Sequence, residues 1–271
     1  MVDTLEIILL ALVQGITEFL PISSSGHLIL TPLLFGFELQ ELAFDVALHL
    51  GTLGAVTLYF RREIARMTVA VLGSLRHRRF DDPDARLGWM IVLATVPVVV
   101  LGLPLKLVLE FLRDDPTLIA TVIAATSIGF GLLLWWSDWR GARRRDEYSL
   151  GWRGALVVGV MQALAIIPGT SRSGITITAG LLLGLTRRAA SRFSFLLAIP
   201  TILMAGTVEG IELAGQGAAV DWMGLALGAV WSMLFAYLTI HLFLRFIERV
   251  SMLPFVLYRV ALGGLILLLV W

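Results

Sequence analysis

Six predominantly apolar stretches of 18 to 25 residues set the limits on what this chain can fold into: 43–60, 88–109, 118–136, 192–213, 222–246 and 254–271. A helix needs roughly 20 apolar residues to cross a hydrocarbon core of about 30 Å, so each stretch is long enough to span a bilayer. The hydrophobic set makes up 58% of the 271 residues and charged residues only 15%, against about a quarter charged in soluble domains. The chain is therefore predicted to be an all-α integral membrane protein, with residues 1–271 forming a single membrane domain. Its start, Met1-Val2-Asp3-Thr4-Leu5-Glu6, lacks the basic region of a signal peptide and is expected to stay uncleaved.

Two further apolar regions are interrupted. Residues 5–36 are broken by Pro21-Ile22-Ser23-Ser24-Ser25-Gly26, and 150–185 by Pro168-Gly169-Thr170-Ser171-Arg172-Ser173-Gly174. The pieces 28–36 and 175–185 are too short to cross, so each region is expected to be a re-entrant helical hairpin. Irregular backbone at membrane depth survives only where protein or a water-filled cavity satisfies its N–H and C=O groups, so two such breaks point to one buried polar site. A Pro-kinked span with serines bonded back to helix carbonyls is the alternative for each region.

Charge placement orders the connections. Residues 1–60 hold no Lys or Arg, whereas 61–86 hold Arg61, Arg62, Arg66, Arg76, Arg78, Arg79 and Arg86. By the positive-inside rule this basic loop, which includes His77, lies inside. The connection with Asp114 and Asp115 reads outside, and Arg140, Arg143, Arg144, Arg145 and Arg153 read inside. Arg187, Arg188 and Arg192 are still inside, so the second broken region enters and returns. The connection near Glu209, Glu212 and Asp221 reads outside, and Arg245 and Arg249 read inside.

At an offset of 148 residues, Gln14 lies over Gln162, and Ser23-Ser24-Ser25-Gly26 over Ser171-Arg172-Ser173-Gly174. Each half is a re-entrant hairpin followed by three spans, and an odd number of crossings inverts the second half. The expected plan is two inverted repeats, 1–139 with its hairpin at 5–36 and 140–271 with its hairpin at 150–185, whose broken tips meet near the midplane. Gly180-x-x-x-Gly184, Gly206-x-x-x-Gly210 and Gly224-x-x-x-Gly228 read as helix-packing faces.

Several chemistries are excluded. Zero cysteines remove disulfides, Cys-ligated metals and thiolate nucleophiles, and the one lysine, Lys106, is not in a P-loop sequence. The net charge of +1 gives no case for nucleic acid as a partner. The Ser/Gly turns are what remain. Each opens a half-helix whose N-terminus carries unpaired N–H groups and about half a positive charge, suited to an anion.

Arg172 inside the second turn costs roughly 2.5 to 3.5 kcal/mol to insert, so it needs an anionic partner. Glu18 and a ligand phosphate are the candidates, and the planar guanidinium matches phosphate well. A structural Glu18–Arg172 pair clamping the two turns is the other reading. Gln14 and Glu18, four apart, share a helix face. Alone they are too thin a cage for calcium or magnesium, but they suffice if a diphosphate adds oxygens. His27, beside Ser24 and Ser25, can serve as base or attack phosphorus itself. His49 and His241, mid-span among apolar residues, read as packing residues.

The acid phosphatase superfamily with its K-x6-R-P, P-S-G-H and S-R-x5-H sequences is excluded by order and spacing: Lys106-x6-Arg113 is followed by Asp114, and Arg172 is followed by Thr178 where His is needed. By contrast, Gln14-Gly15-Ile16-Thr17-Glu18-Phe19-Leu20-Pro21-Ile22-Ser23-Ser24-Ser25-Gly26-His27 and Pro168 to Gly174 closely resemble the two signature regions of the bacterial undecaprenyl-diphosphate phosphatase (bacitracin-resistance) family. The resemblance covers the whole chain. It implies removal of the terminal phosphate of a C55 lipid diphosphate at the outer face of the bacterial cytoplasmic membrane, recycling the carrier for peptidoglycan synthesis.

It further implies that Glu18 is the acid associated with a divalent cation, Mg2+ or Ca2+, that Ser24 and His27 are nucleophile and base, and that Arg172 clamps phosphate. Many members carry Glu at the position of Gln14, which weakens its share of a metal site. Ser23, Ser25, Gly26, Gln162, Gly169, Thr170, Ser171, Ser173 and Gly174 complete the expected substrate-binding turns. Expected partners are a polyprenyl diphosphate and membrane lipids, with a homodimer left open. Two mechanisms stay open, Ser24 attack assisted by His27 or a phosphohistidine on His27, and a lipid-phosphate flippase using the same anion site is the rival function.

Overall fold

A computed structural model describes residues 4–36, 42–113, 116–214 and 221–270. Among these the chain forms α1 (Thr4–Thr17), α2 (Ser24–Phe35), α3 (Leu42–Tyr59), α4 (Arg61–His77), α5 (Pro83–Arg113), α6 (Pro116–Arg140), α7 (Trp152–Ala163), α8 (Arg172–Leu182), α9 (Arg187–Ala214), α10 (Trp222–Phe246) and α11 (Leu253–Val270). Single 3-10 turns lie at Glu147–Ser149 and Leu164–Ile166. The fold is all-helical, as expected.

Helices α6, α9, α10 and α11 and the Pro83–Gly102 part of α5 are long and apolar enough to cross a membrane. The sixth expected span corresponds to α3, after which the chain bends by 78° into α4. The basic connection 61–86 is thus mostly helix rather than the expected loop. Its residues alternate with helical period: Met67 and Ser74 are buried, and Ser74 accepts from Trp89 Nε1 of α5 at 3.0 Å, while Arg61, Arg62, Arg66 and Arg76 face outward. One apolar stripe with an opposite charged face is what an interfacial helix needs.

The two broken regions each fold as helix, turn, helix: α1 and α2 around 18–23, α7 and α8 around 167–171. Neither pair closes on itself alone. Helix α1 packs on α10 and α7 packs on α5, while α3 lies between α10 and α9, and α6 runs along α11. Small residues permit the close approach: a Cβ on Gly159 would come within 2.4 Å of the Ala94 carbonyl, and one on Gly15 within 2.6 Å of Phe235 Cβ. Gly180 and Gly228, expected to pack helices, do so inside the chain, against Ala190 and Phe44. A large apolar core that includes Phe19, Phe60, Phe193, Phe195 and Phe243 fixes the helices around both turns.

The basic connections meet at one end of the molecule. Arg187 binds Asp138 through two bonds of 2.6 and 3.0 Å, and Asp138 also accepts from Met252 N at 3.0 Å. Arg192 bridges Glu147 at 2.5 Å and Glu63 at 2.9 Å, and Arg188 reaches Glu248 at 3.5 Å. Tyr148 donates to Asp84 at 3.3 Å, and burial, then that carboxylate, push its hydroxyl above the ordinary tyrosine pKa. These pairs tie together the connections that follow α3, α6 and α10 and the start of α9.

Candidate active site

The two turns have the same local build. Ser23 and Ser171, equivalent at the 148-residue offset, both take positive φ, 75° and 70°, immediately before α2 and α8. In each, the hydroxyl faces the serine two residues on, Ser23 to Ser25 at 3.4 Å and Ser171 to Ser173 at 3.2 Å. Ser171 also caps α8 by accepting from Gly174 N at 3.2 Å. Left-handed backbone at a non-glycine residue is strained and persists only where its surroundings fix it.

Those surroundings include a residue that sequence reasoning missed. Arg259 of α11 is fully buried and donates only to carbonyls: Ser127 at 3.1 Å, Pro21 at 3.4 Å, Thr126 at 3.3 Å, and Gly169 and Thr170 at 2.9 Å each. One guanidinium therefore holds the first turn, the second turn and α6 together. Ser173 Oγ adds a direct bond between the turns, donating to Leu20 O at 2.8 Å. Gly169, with φ of 83°, lies so close to α6 that a Cβ would meet Thr126 Oγ1 at 2.3 Å. An ionisable residue inside an apolar span was the available signal for Arg259.

Between the turns Glu18 is a hub. It is 7% exposed, and its Oε2 accepts from Ser24 Oγ at 2.7 Å and Gln14 Nε2 at 3.1 Å. Its Oε1 accepts from Arg172 Nη2 at 3.1 Å, joining the two halves across 154 residues of chain. Arg172 is held from behind, Nη1 donating to Ser194 O at 3.1 Å. A buried pair of this kind is specific more than stabilising, because desolvation offsets most of the attraction.

A cavity of about 290 Å³ opens on this pair. It brings together the expected residues Glu18, Ser23, Ser24, Ser25, Gln162, Ser171 and Arg172, beside apolar Val98, Ile166 and Ile202. Gln14, Gly26, His27, Gly169, Thr170, Ser173 and Gly174 do not line it. His27 is engaged elsewhere. Its Nδ1 donates to Ser23 O at 2.7 Å, and its Nε2 pairs with the hydroxyl of Tyr258, on which the ring stacks. The histidine on the cavity wall is His49, read from the sequence as packing, with Nε2 at 3.8 Å from Glu18 Oε2. Thr201, also on the wall, donates to Gln162 Oε1 at 3.3 Å.

Among the described residues, three buried polar atoms lack a partner: Gln14 Oε1, Gln162 Nε2 and Thr170 Oγ1. Such atoms are rare in native proteins and mark places where a ligand, ion or water completes the bonding. All three belong to the turns or the half-helices that lead into them.

Fold and site together define a polytopic membrane protein with a buried carboxylate–guanidinium pair beneath a cavity of mixed polar and apolar lining between two broken helices. The chain belongs to the family described as Bacitracin resistance protein BacA, whose model matches residues 7–265. It is 54% identical over 270 residues to "Undecaprenyl-diphosphatase 2" of Stutzerimonas stutzeri, covering 98% of each chain. It is 52% identical over 264 residues to "Undecaprenyl-diphosphatase" of Nitrosococcus oceani, covering 97% of this chain and 98% of that one. It is 54% identical over 267 residues to "Undecaprenyl-diphosphatase 1" of Pseudoalteromonas translucida, covering 98% of both.

Proposed function

We propose that this chain removes the terminal phosphate of undecaprenyl diphosphate, giving undecaprenyl phosphate and inorganic phosphate, and so recycles the lipid carrier of cell-wall synthesis and confers bacitracin resistance. Full-length identity above half to proteins with that name supports the reaction. The geometric observation that carries it is the Ser24 hydroxyl bonded to one oxygen of Glu18 while Arg172 holds the other.

The chemistry follows from that arrangement. Phosphoryl transfer needs an in-line nucleophile and neutralisation of charge on the phosphoryl oxygens. Ser24 Oγ forms the bond to the terminal phosphorus as its proton passes to His27, and the bridging P–O bond breaks to release the lipid monophosphate. Water then attacks the phosphoserine, the P–Oγ bond breaks, and inorganic phosphate leaves. Arg172 gathers the non-bridging oxygens, helped by Ser23, Ser25 and Ser171 on the cavity wall, and Gln162 offers its unpartnered Nε2. His27 is the proposed base for Ser24 and then for the water. Because Nδ1–H is fixed on Ser23 O, Nε2 is the basic nitrogen, and a side-chain rotation would carry it from Tyr258 toward Ser24, one helical turn away.

A divalent cation fits this donor set. Glu18 and the orphaned Oε1 of Gln14 are oxygen donors of the kind Mg2+ or Ca2+ selects, and a diphosphate would supply the remaining oxygens. When bound it would neutralise charge developing on the diphosphate.

The inverted repeat, 1–139 against 140–271, is part of the same proposal. It is supported by the matched positive-φ serines and by the reciprocal packing of α1 on α10 and α7 on α5. With the basic end inside the cell, the site opens outward from the bacterial cytoplasmic membrane. Gly206 on the cavity wall lies roughly 28 Å along α9 from Arg187, at 1.5 Å per residue.

The deciding experiment is phosphate release from a long-chain prenyl diphosphate by purified protein with Mg2+ or Ca2+, beside Ser24→Ala. Wild type releases phosphate and forms an acid-stable phosphoserine in rapid quench, and Ser24→Ala forms none. Absence of release from wild type that binds the lipid sinks the phosphatase reading; release without phosphoserine replaces Ser24 as nucleophile, by His27 where an alkaline quench captures a phosphohistidine and by water where it captures none.

A further inference from the structure

We infer that His49 is a third protein ligand, through Nε2, of the divalent cation assigned above to Glu18 and Gln14, an inference that rests on that metal reading. His49 lies on α3, outside both signature turns, yet its imidazole lines the cavity beside Glu18.

The tautomer carries the argument. His49 Nδ1 lies 2.8 Å from Asp45 O one turn earlier on the helix, and a carbonyl can only accept, so Nδ1 bears the proton. A neutral ring in that state presents Nε2 as a bare lone pair. This is the usual state of a metal-binding histidine, whose outer nitrogen donates to a carbonyl or carboxylate. Nε2 lies 3.8 Å from Glu18 Oε2, beyond hydrogen-bond length, with both residues on the cavity wall. Two acceptors at that distance repel unless something positive lies between them. A divalent cation held by both atoms would remove that repulsion, and the 3.8 Å gap is of a size it could fill. A proton making His49 an imidazolium is the competing occupant.

Gln14 closes the set. Its side chain is fully buried and bonded to Glu18 through Nε2, and its Oε1 has no partner. Glu18 thus touches both neighbours, Gln14 by a hydrogen bond and His49 across 3.8 Å, and among the described residues there is no group of three His, Asp or Glu able to hold a metal by themselves, so the amide and substrate oxygens would have to complete the set. One nitrogen among oxygens moves selectivity from all-oxygen ions toward Mn2+ and other first-row metals.

The test uses full-length protein in detergent or nanodiscs, titrated with Mn2+ and read by pulsed electron paramagnetic resonance for imidazole 14N coupling. Wild type binds Mn2+ at least tenfold more tightly than Ca2+ and shows the coupling. His49→Ala loses the coupling and about tenfold in affinity, while His241→Ala keeps both. His49→Gln, which retains side-chain bulk and supplies an oxygen, still binds Mn2+ but loses the coupling, so the result stands even where the alanine variant fails to fold. Mn2+ bound without 14N coupling, or coupling that survives in His49→Gln, overturns His49 as ligand and leaves the Glu18 site intact. No Mn2+ binding at all overturns the metal reading itself, and this inference with it.

Discussion

Glu18 concentrates the chemistry of this protein in one carboxylate that accepts from Gln14, Ser24 and Arg172. Neutralising it removes the charge that Arg172 answers and the acceptor that orients Ser24. Glu18→Gln is expected to lower phosphate release by at least about 100-fold and stability by roughly 3–5 kcal/mol, since the guanidinium is left buried without its carboxylate. Removing both charges, in Glu18→Gln with Arg172→Gln, should return most of the stability and none of the activity. Thermal unfolding in detergent beside a phosphate assay checks this, and equal losses of stability in single and double variants would deny the pair. The sequence made Glu18 and Arg172 legible because charge at membrane depth demands a partner. It read His49 as packing and left Arg259 unread for the same physical reason in reverse: each sits in an apolar helix, and residue type alone does not tell whether it faces lipid, core or cavity.

At the scale of elements, the hairpin turns work because other helices hold their backbone. Arg259 and Thr126 take carbonyls at 168–170 that no helix bonds, and Gly169 lets the chain pass against α6. Gly169→Ala would add a Cβ at positive φ and within 2.5 Å of the Ile123 carbonyl. The expected result is a stability loss of about 2–4 kcal/mol, from backbone strain plus overpacking, with poorer yield of folded protein. An alanine variant that melts like wild type would mean that α6 can move away without loss. The breaks themselves were readable, since Pro, Ser and Gly interrupt otherwise apolar runs at 21–26 and 168–174. Helix α4 was not. Its many arginines read as a solvated charge run, whereas Ile64, Met67, Val71 and Ser74 recur at helical spacing between them and meet α5. Period, not net charge, was the signal there.

For the whole molecule, the arrangement of spans makes sidedness a measurable consequence. The ion pairs of Arg187, Arg188 and Arg192 gather the basic connections at one end, while the cavity wall on α9 begins at Thr201, about 20 Å further along that helix. Five of the six expected spans, and the sixth where α3 is taken with its bend into α4, were readable from hydropathy, but the meeting of the two turns depends on contacts 154 residues apart that no local pattern encodes. Because the chain has no cysteine, single cysteines report position without background. Ser25→Cys at the cavity and Trp222→Cys at the start of α10 should react with a membrane-impermeant maleimide added outside intact cells or spheroplasts. Arg78→Cys, after α4, should react only once the membrane is opened. A prenyl diphosphate should slow labelling at Ser25→Cys several-fold and leave Trp222→Cys unchanged, because only the former lies where substrate binds. Labelling of Arg78→Cys from outside would invert the topology. Equal labelling of Ser25→Cys from both faces would mean a cavity open to either side, which a phosphatase acting at one membrane face does not need.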